Sequence, residues 1–261
     1  MNSIATKKLA IAYDDKLIVD DLNINIPKGK ITTIIGPNGC GKSTVLKTVG
    51  RILKPKKGVV YLNGDDIRNL STKEVAQKMA ILPQSPQAQA RLTVGEIVSY
   101  GGFPHQRGFG KLSSEDKKII TWALEITKLT EFETRTVDNL SGGQRQRVWI
   151  AMALAQQTDL ILLDEPTTYL DMAYQLEVLE LLYKLNREQN CTIVMVLHDL
   201  NLAARFADYM IAIRSGKIIR HGTPKEIMTK KVLKDTFHID AEIGWESRTG
   251  RPTCISYELI K

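Results

Sequence analysis

The chain has 261 residues, which fits one large α/β domain or two small ones. Its 43% hydrophobic content is enough for a substantial core, yet the longest apolar runs, such as Leu160–Leu163 and Ile193–Leu197, exclude a membrane-crossing helix. Lys and Arg number 36 against 29 Asp and Glu, and the resulting +7 suits a nucleotide, an anionic membrane face or nucleic acid as well as an ordinary solvated surface.

In chain order the opening third reads as short strands over Leu9–Tyr13, Leu22–Ile26, Ile31–Ile35 and Val59–Leu62, punctuated by Pro27-Lys28-Gly29 and Asn63-Gly64. A helix is expected from about Lys42 to Gly50, and a buried strand over Met79–Leu82 closed by Pro83. From Gln84 to Gly110 the chain is rich in Gln, Pro and Gly; it turns helical from Ser114 to about Lys128 and again after Ser141, as a helical insertion would. There follow Leu160–Asp164 (strand), Met172–Gln189 (helix), Thr192–Leu197 (strand), Leu200–Phe206 (helix) and strands at Tyr209–Arg214 and Lys217–His221. Strands alternating with helices imply a largely parallel sheet with crossover helices. From Gly222 onward the pattern is mixed and names no element.

The three cysteines, Cys40, Cys191 and Cys254, are odd in number and widely spread, which fits neither a disulfide framework nor zinc spacing and points to a reducing cytosol. The opening Met-Asn-Ser-Ile-Ala-Thr-Lys-Lys leads into no apolar run of signal-peptide type. A membrane role is expected to be peripheral, through partners.

Gly36-Pro37-Asn38-Gly39-Cys40-Gly41-Lys42-Ser43 matches G-x-x-x-x-G-K-[ST] in full, with Thr44 next, between an apolar strand and a helix-compatible run. The glycines let backbone N–H groups curl around phosphates, and the helix that follows points its positive end at them. Lys42 adds a charge to the β- and γ-phosphates, and the Ser43 hydroxyl can ligate Mg²⁺. A chance match in a chain this long has odds on the order of 1%, so an ordinary Gly-rich turn is set aside. Cys40 reads as neutral filler in the loop. Leu160-Ile-Leu-Leu-Asp164-Glu165 supplies the other half: an apolar strand carries Asp164 toward Mg²⁺ and leaves Glu165 where an attacking water could be polarised. Such a strand alone is common; beside a phosphate loop it is specific.

Leu140-Ser141-Gly142-Gly143-Gln144 contains a capping-box pattern, Ser141 with Gln144, opening a second helix. The two glycines leave backbone N–H groups uncovered and make a second anion site. One nucleotide needs one such helix start, so the second makes sense if it closes over a nucleotide held by another copy.

With the phosphate loop, LSGGQ and LLDE in this order, the chain resembles the nucleotide-binding domain of an ABC transporter, up to roughly Gly222. The resemblance implies an α/β P-loop NTPase of ABC type: a mostly parallel sheet core, an N-terminal antiparallel β subdomain and an inserted helical subdomain. It implies one domain over 1–261, with a catalytic core at about 1–88 and 159–221, a helical subdomain at about 89–158 and a C-terminal extension at about 222–261. ATP and Mg²⁺ are the implied cofactors. Tyr13 is placed like the aromatic that stacks on adenine, although it reads equally as a strand aromatic packed on the core. Gln84 matches the glutamine that senses Mg²⁺ and signals to membrane subunits. Thr168-Tyr-Leu-Asp171 resembles the loop that crosses the dimer interface, and His198 the switch histidine that contacts the γ-phosphate.

Wider phrases resemble the ATPases of ferric-siderophore importers, with cobalamin and haem importers as the alternative: Gly36 to Thr44, Leu82-Pro-Gln-Ser-Pro86, Leu92 to Val98, Asp164 to Asp171 and His198 to Arg205. Gly102 departs from the Arg of many relatives, in a segment that faces the membrane partner. That branch implies a homodimer at the cytoplasmic face of the cell membrane, beneath two integral membrane permease subunits, served indirectly by an extracytoplasmic siderophore-binding protein, with no nucleic acid. A non-transport ABC ATPase acting on nucleic acid would usually carry long coiled-coil insertions or tandem domains, and this chain has one set of motifs and no heptad run. A module that only holds ATP is disfavoured by Glu165 and His198.

Overall fold

The computed structural model describes residues 2–13, 16–84, 91–106 and 112–260. In chain order the strands are β1 (Asn2–Tyr13), β2 (Lys16–Leu22), β3 (Asn25–Pro27), β4 (Ile31–Ile35), β5 (Lys57–Leu62), β6 (Asp65–Asp66), β7 (Met79–Leu82), β8 (Leu160–Asp164), β9 (Thr192–Val196), β10 (Tyr209–Arg214), β11 (Lys217–Gly222), β12 (Ile239–Trp245) and β13 (Pro252–Leu259). The helices are α1 (Lys42–Val49), α2 (Thr72–Lys78), α3 (Val94–Tyr100), α4 (Ser114–Ile126), α5 (Gly142–Ala155), α6 (Met172–Gln189), α7 (Leu200–Phe206), α8 (Pro224–Ile227) and α9 (Lys230–Phe237).

The central sheet runs β11-β10-β4-β9-β8-β7, parallel except for β11. Every residue of β4, β8 and β9 is buried, as parallel strands covered on both faces require. Strand alternation divides their side chains between two cores. Ile31, Ile35, Ile161, Leu163, Ile193 and Met195 face the helices that include α3, α4 and α5. Ile34, Leu160, Leu162, Val194 and Val196 face α1 and the second sheet. That second sheet is antiparallel, in the order β2-β1-β5-β6, with β3 also paired to β1. Helices α3, α4 and α5 all lie between β7 and β8, which are neighbours in the sheet, so the helical layer is an insertion at one strand crossover.

The start of β4 is pinned from outside the sheet. Asp208 Oδ2 accepts the Ile31 N–H at 3.1 Å, the Asp208 N–H donates to Ile31 O at 2.9 Å, and Arg187 donates to Asp208 Oδ1 at 2.6 Å. Asn186 secures the preceding turn through Gly29 O at 3.2 Å and Cys191 O at 2.6 Å.

Two expectations are corrected. The segment Leu22–Ile26 is not one strand. β2 ends at Leu22 and β3 begins at Asn25, because Asp21 is left-handed (φ 50) and the Asn23 side chain turns the chain by bonding Asp21 O at 3.0 Å and the Lys8 N–H at 2.9 Å. The stretch after Gly222 is ordered: α8 and α9 lead into the hairpin β12-β13, which Asn201 of α7 holds through the Cys254 N–H at 2.8 Å and Cys254 O at 3.1 Å. No helix among the described residues is long and apolar enough to cross a membrane.

The Asp208 anchor has a pH signature. Burial pushes its carboxyl up, but the bonds from Arg187 and the Ile31 N–H outweigh this and hold it below the usual carboxylate range. A depressed acid contributes stability above its unfolded value, about 3.9, and loses it as pH falls through the lower folded one. Asp208→Asn is therefore expected to be less stable than the parent at pH 7, with the gap closing below about pH 4. Urea midpoints measured at a series of pH values check this; a gap that is constant with pH contradicts it.

Candidate active site

Register brings three strand ends to one edge. Ile34 of β4 and Asp164 of β8 are both paired to Val196 of β9. The chain therefore leaves the sheet at nearly one level after Ile35, Asp164 and Leu197, at the carboxyl edge where α/β sheets bind ligands.

From Ile35 the chain enters the phosphate loop. A Cβ at Gly36 would lie 2.1 Å from the Ile213 carbonyl oxygen, so only glycine fits where the loop leaves the sheet. Pro37 O accepts the Cys40 N–H at 3.3 Å, and Gly41 caps α1 in a left-handed conformation without a side-chain bond. The first N–H groups of α1, at Lys42, Ser43 and Thr44, thus keep their donor capacity. Lys42 is 5% exposed, and its Nζ donates to Gly36 O at 2.9 Å and Pro37 O at 3.0 Å. Cys40 is buried, and its thiol is pushed up by that burial, against the pull of Lys42. It packs beneath the loop, which fits filler better than reactivity.

Ser43 Oγ donates to Asp164 Oδ1 at 2.7 Å. Asp164 Oδ2 is buried and has no hydrogen-bond partner among the described residues. Burial pushes this carboxyl up, with the Ser43 bond and the Lys47 charge opposing. A buried carboxylate oxygen left unpaired is costly and calls for a partner. A hydroxyl and a carboxylate facing each other form an all-oxygen donor set that fits a hard cation such as Mg²⁺.

Glu165 is left-handed (φ 52) and 9% exposed. Its Oε2 accepts from Gln84 Nε2 and, at 3.0 Å, from Thr168 Oγ1, while Oε1 lies 2.6 Å from His198 Nε2. Asn38 and Gly39, with Gly41 to Thr44, Gln84, Glu165, Thr168 and His198, surround a cleft of about 530 Å³. A larger depression of about 750 Å³ between β2 and β11 is lined by Asp20, Asp21, Lys217 and Arg220 and has no phosphate loop. Donor chemistry, not size, singles out the first.

The second helix start stands apart. Ser141 caps α5: its Oγ accepts the Gln144 N–H at 3.3 Å, and Gln144 Oε1 accepts the Ser141 N–H at 3.0 Å. Ser141 and Gly142 are exposed, and a Cβ at Gly142 would meet nothing within 4 Å. Gly143 is buried, and a Cβ there would come 2.9 Å from the Tyr174 ring. The two glycines therefore differ in purpose: Gly143 makes room for α6 and Gly142 faces open space. None of the four residues lines the cleft. Asp171 caps α6 by accepting the Tyr174 N–H at 3.0 Å and does not reach the cleft either. Tyr13 ends β1, and its side chain lies outside the described residues. Sequence reasoning missed the hydroxyl of Thr168 as part of the cleft. The available signal was a Thr three residues after Glu165, within reach of a local side-chain bond.

A family model described as ABC transporter matches residues 19–168. The iron(3+)-hydroxamate import ATP-binding protein FhuC of Bacillus subtilis (strain 168) is 62% identical over 261 residues, spanning 100% of this chain and 97% of its own. An ABC transporter solved in an inward-facing conformation superposes with a TM-score of 0.84 at 30% identity, over 97% of this chain and 96% of that one. The ATP-binding cassette MJ0796, solved as a dimer in a post-hydrolysis state bound to ADP and Pi, gives a TM-score of 0.74 at 32% identity, over 84% of this chain and 98% of that one. The phosphate loop, the carboxylates at the strand end and the separate capped helix all belong to this fold, and the chain belongs to the ABC transporter family as one of its ATP-binding, ATP-hydrolysing proteins.

Proposed function

We propose that this ATPase powers import of ferric siderophores, hydroxamate chelates first among them. It works as a homodimer at the cytoplasmic face of the cell membrane, docked beneath two integral membrane permease subunits that an extracytoplasmic siderophore-binding protein supplies. The observation that carries the reading is the full-length likeness to an iron(3+)-hydroxamate import ATP-binding protein at 62% identity. The substrate class rests on that likeness, since the cargo does not touch this chain. The work divides between a catalytic core at about 1–88 and 159–221 and a helical subdomain at about 89–158, with the C-terminal extension at about 222–261.

The site supports a dimer on physical grounds. Ser141, Gly142, Gly143, Gln144 and Asp171 stand outside the cleft of their own chain, and Ser141 and Gly142 face solvent. A second copy can set them over the nucleotide held by Gly36 to Thr44. In this reading Lys42 and the free N–H groups of α1 bind the β- and γ-phosphates. Tyr13 stacks on adenine. Ser43, Asp164 and Gln84 would hold Mg²⁺, which supplies neutralising charge at the phosphate oxygens. Glu165 orients and deprotonates the attacking water, and His198 holds the γ-phosphate.

Replacing Glu165 by Gln keeps size and reach but removes basicity, and a positioned base contributes ~10²–10⁴ in rate. Glu165→Gln is expected to lose hydrolysis by that order and to accumulate an ATP-bound dimer on size-exclusion chromatography. Lys42→Ala should instead weaken nucleotide binding itself. Near-normal hydrolysis by Glu165→Gln removes the base assignment. Ser141→Arg should leave monomer ATP binding intact and block ATP-dependent dimerisation; equal loss of monomer affinity in Ser141→Arg and Lys42→Ala contradicts the composite site. Deleting the chain should abolish uptake of at least one ferric hydroxamate and spare amino acids and sugars. Unchanged siderophore uptake, with loss of cobalamin or haem uptake, transfers the proposal to those cargoes.

A further inference from the structure

Three groups donate to Glu165, and they are not equivalent. Gln84 lies two residues beyond the end of β7, and His198, 45% exposed in its side chain, lies two beyond β9. Both reach Glu165 from separate elements, and the reading above gives each other work once nucleotide is bound. Thr168 sits in the same turn as Glu165. Its N–H donates to Glu165 O at 3.2 Å, and its Oγ1 donates to Glu165 Oε2 at 3.0 Å. The left-handed backbone at Glu165 makes this double closure over three residues possible. Thr168 therefore travels with the carboxylate whatever the other two donors do.

A carboxylate on a flexible glutamate can rotate and offer either oxygen, so a base of this kind gains from a fixed partner on one of them. From this geometry we infer that Thr168 is a positioning residue: its hydroxyl holds Glu165 Oε2 and leaves Oε1 to face the attacking water. The inference rests on the reading of Glu165 as the base. When His198 turns to the γ-phosphate, Oε1 is open. One water proton passes to Oε1, the water oxygen bonds to the γ-phosphorus, and the bond from that phosphorus to the β,γ-bridging oxygen breaks, leaving ADP and phosphate.

Thr168→Val keeps shape and removes the donor, while Thr168→Ser keeps the donor. A hydrogen bond to a charged group supports an effect of about tenfold. In the purified full-length chain, Thr168→Val is expected to lower kcat for ATP hydrolysis by about that factor with KM for ATP unchanged. Thr168→Ser should recover most of the loss, and Thr168→Ala should behave as Thr168→Val does if the valine variant folds poorly. In a Glu165→Gln background, Thr168→Val should change nothing further, because the side chain it positions no longer carries an oxygen basic enough to take the water proton. The inference is overturned if Thr168→Val and Thr168→Ala keep the parent kcat, if Thr168→Ser is as impaired as they are, if KM rises in place of the fall in kcat, or if the loss persists undiminished on Glu165→Gln. Glu165→Gln tested alone separates the two ideas: rapid hydrolysis by that variant removes the base assignment itself.

Discussion

Asp164 and Glu165 are adjacent in sequence, nearly buried, and both acidic. Two carboxylates so close would ordinarily repel and drive one proton back on. The chain separates them by conformation. Asp164 is the last residue of β8 and meets the Ser43 hydroxyl, whereas Glu165 steps out of the strand into a left-handed turn and meets Gln84, Thr168 and His198. Turned apart, one suits a cation and the other a water. The rest of the site depends on this divergence, because a single pocket holding both groups could do neither task well.

Such a divergence survives only on a rigid support. β8 lies between β7 and β9, with side chains alternating into two separate cores, so neither face of the strand has room to shift. β4, which carries the phosphate loop, is fixed at its start by Asp208 and at its end by the close approach of Gly36 to Ile213. Loop and carboxylates are thereby held at one level across the intervening strand β9. The helical insertion leaves this same edge after β7 and returns at the opposite edge, where the parallel strand β8 begins.

A division of labour also separates the two helix starts. Gly41 caps α1 with no side-chain bond and leaves donors for phosphate, while Ser141 and Gln144 spend two groups on closing a capping box. The exposed start of α5 is already capped, and Gly143 beneath Tyr174 ties it to α6 and so to the loop that carries Glu165 and Thr168.

Where covalent spacing does the work, the sequence alone was sufficient. The phosphate loop, the Asp164-Glu165 strand end, the capping box at Ser141 and the buried strands β4, β7, β8 and β9 are local patterns, readable because a helix start or a doubly covered strand needs particular residues in a row. Local signals for α2 and α3 were also present, as Ser71 with Glu74 and Thr93 with Glu96, but lay in stretches of weak periodicity. The break between β2 and β3 and the hairpin after Gly222 could not be read, because both depend on partners far along the chain: Lys8 with Asn23, and Asn201 with Cys254. Only the tertiary structure decided that Asp164 Oδ2 has no partner among the described residues and that the second helix start stands clear of the phosphate loop. Those outcomes follow from sheet register and side-chain packing, which place residues 80 or more positions apart at hydrogen-bond distance, and no local pattern encodes that.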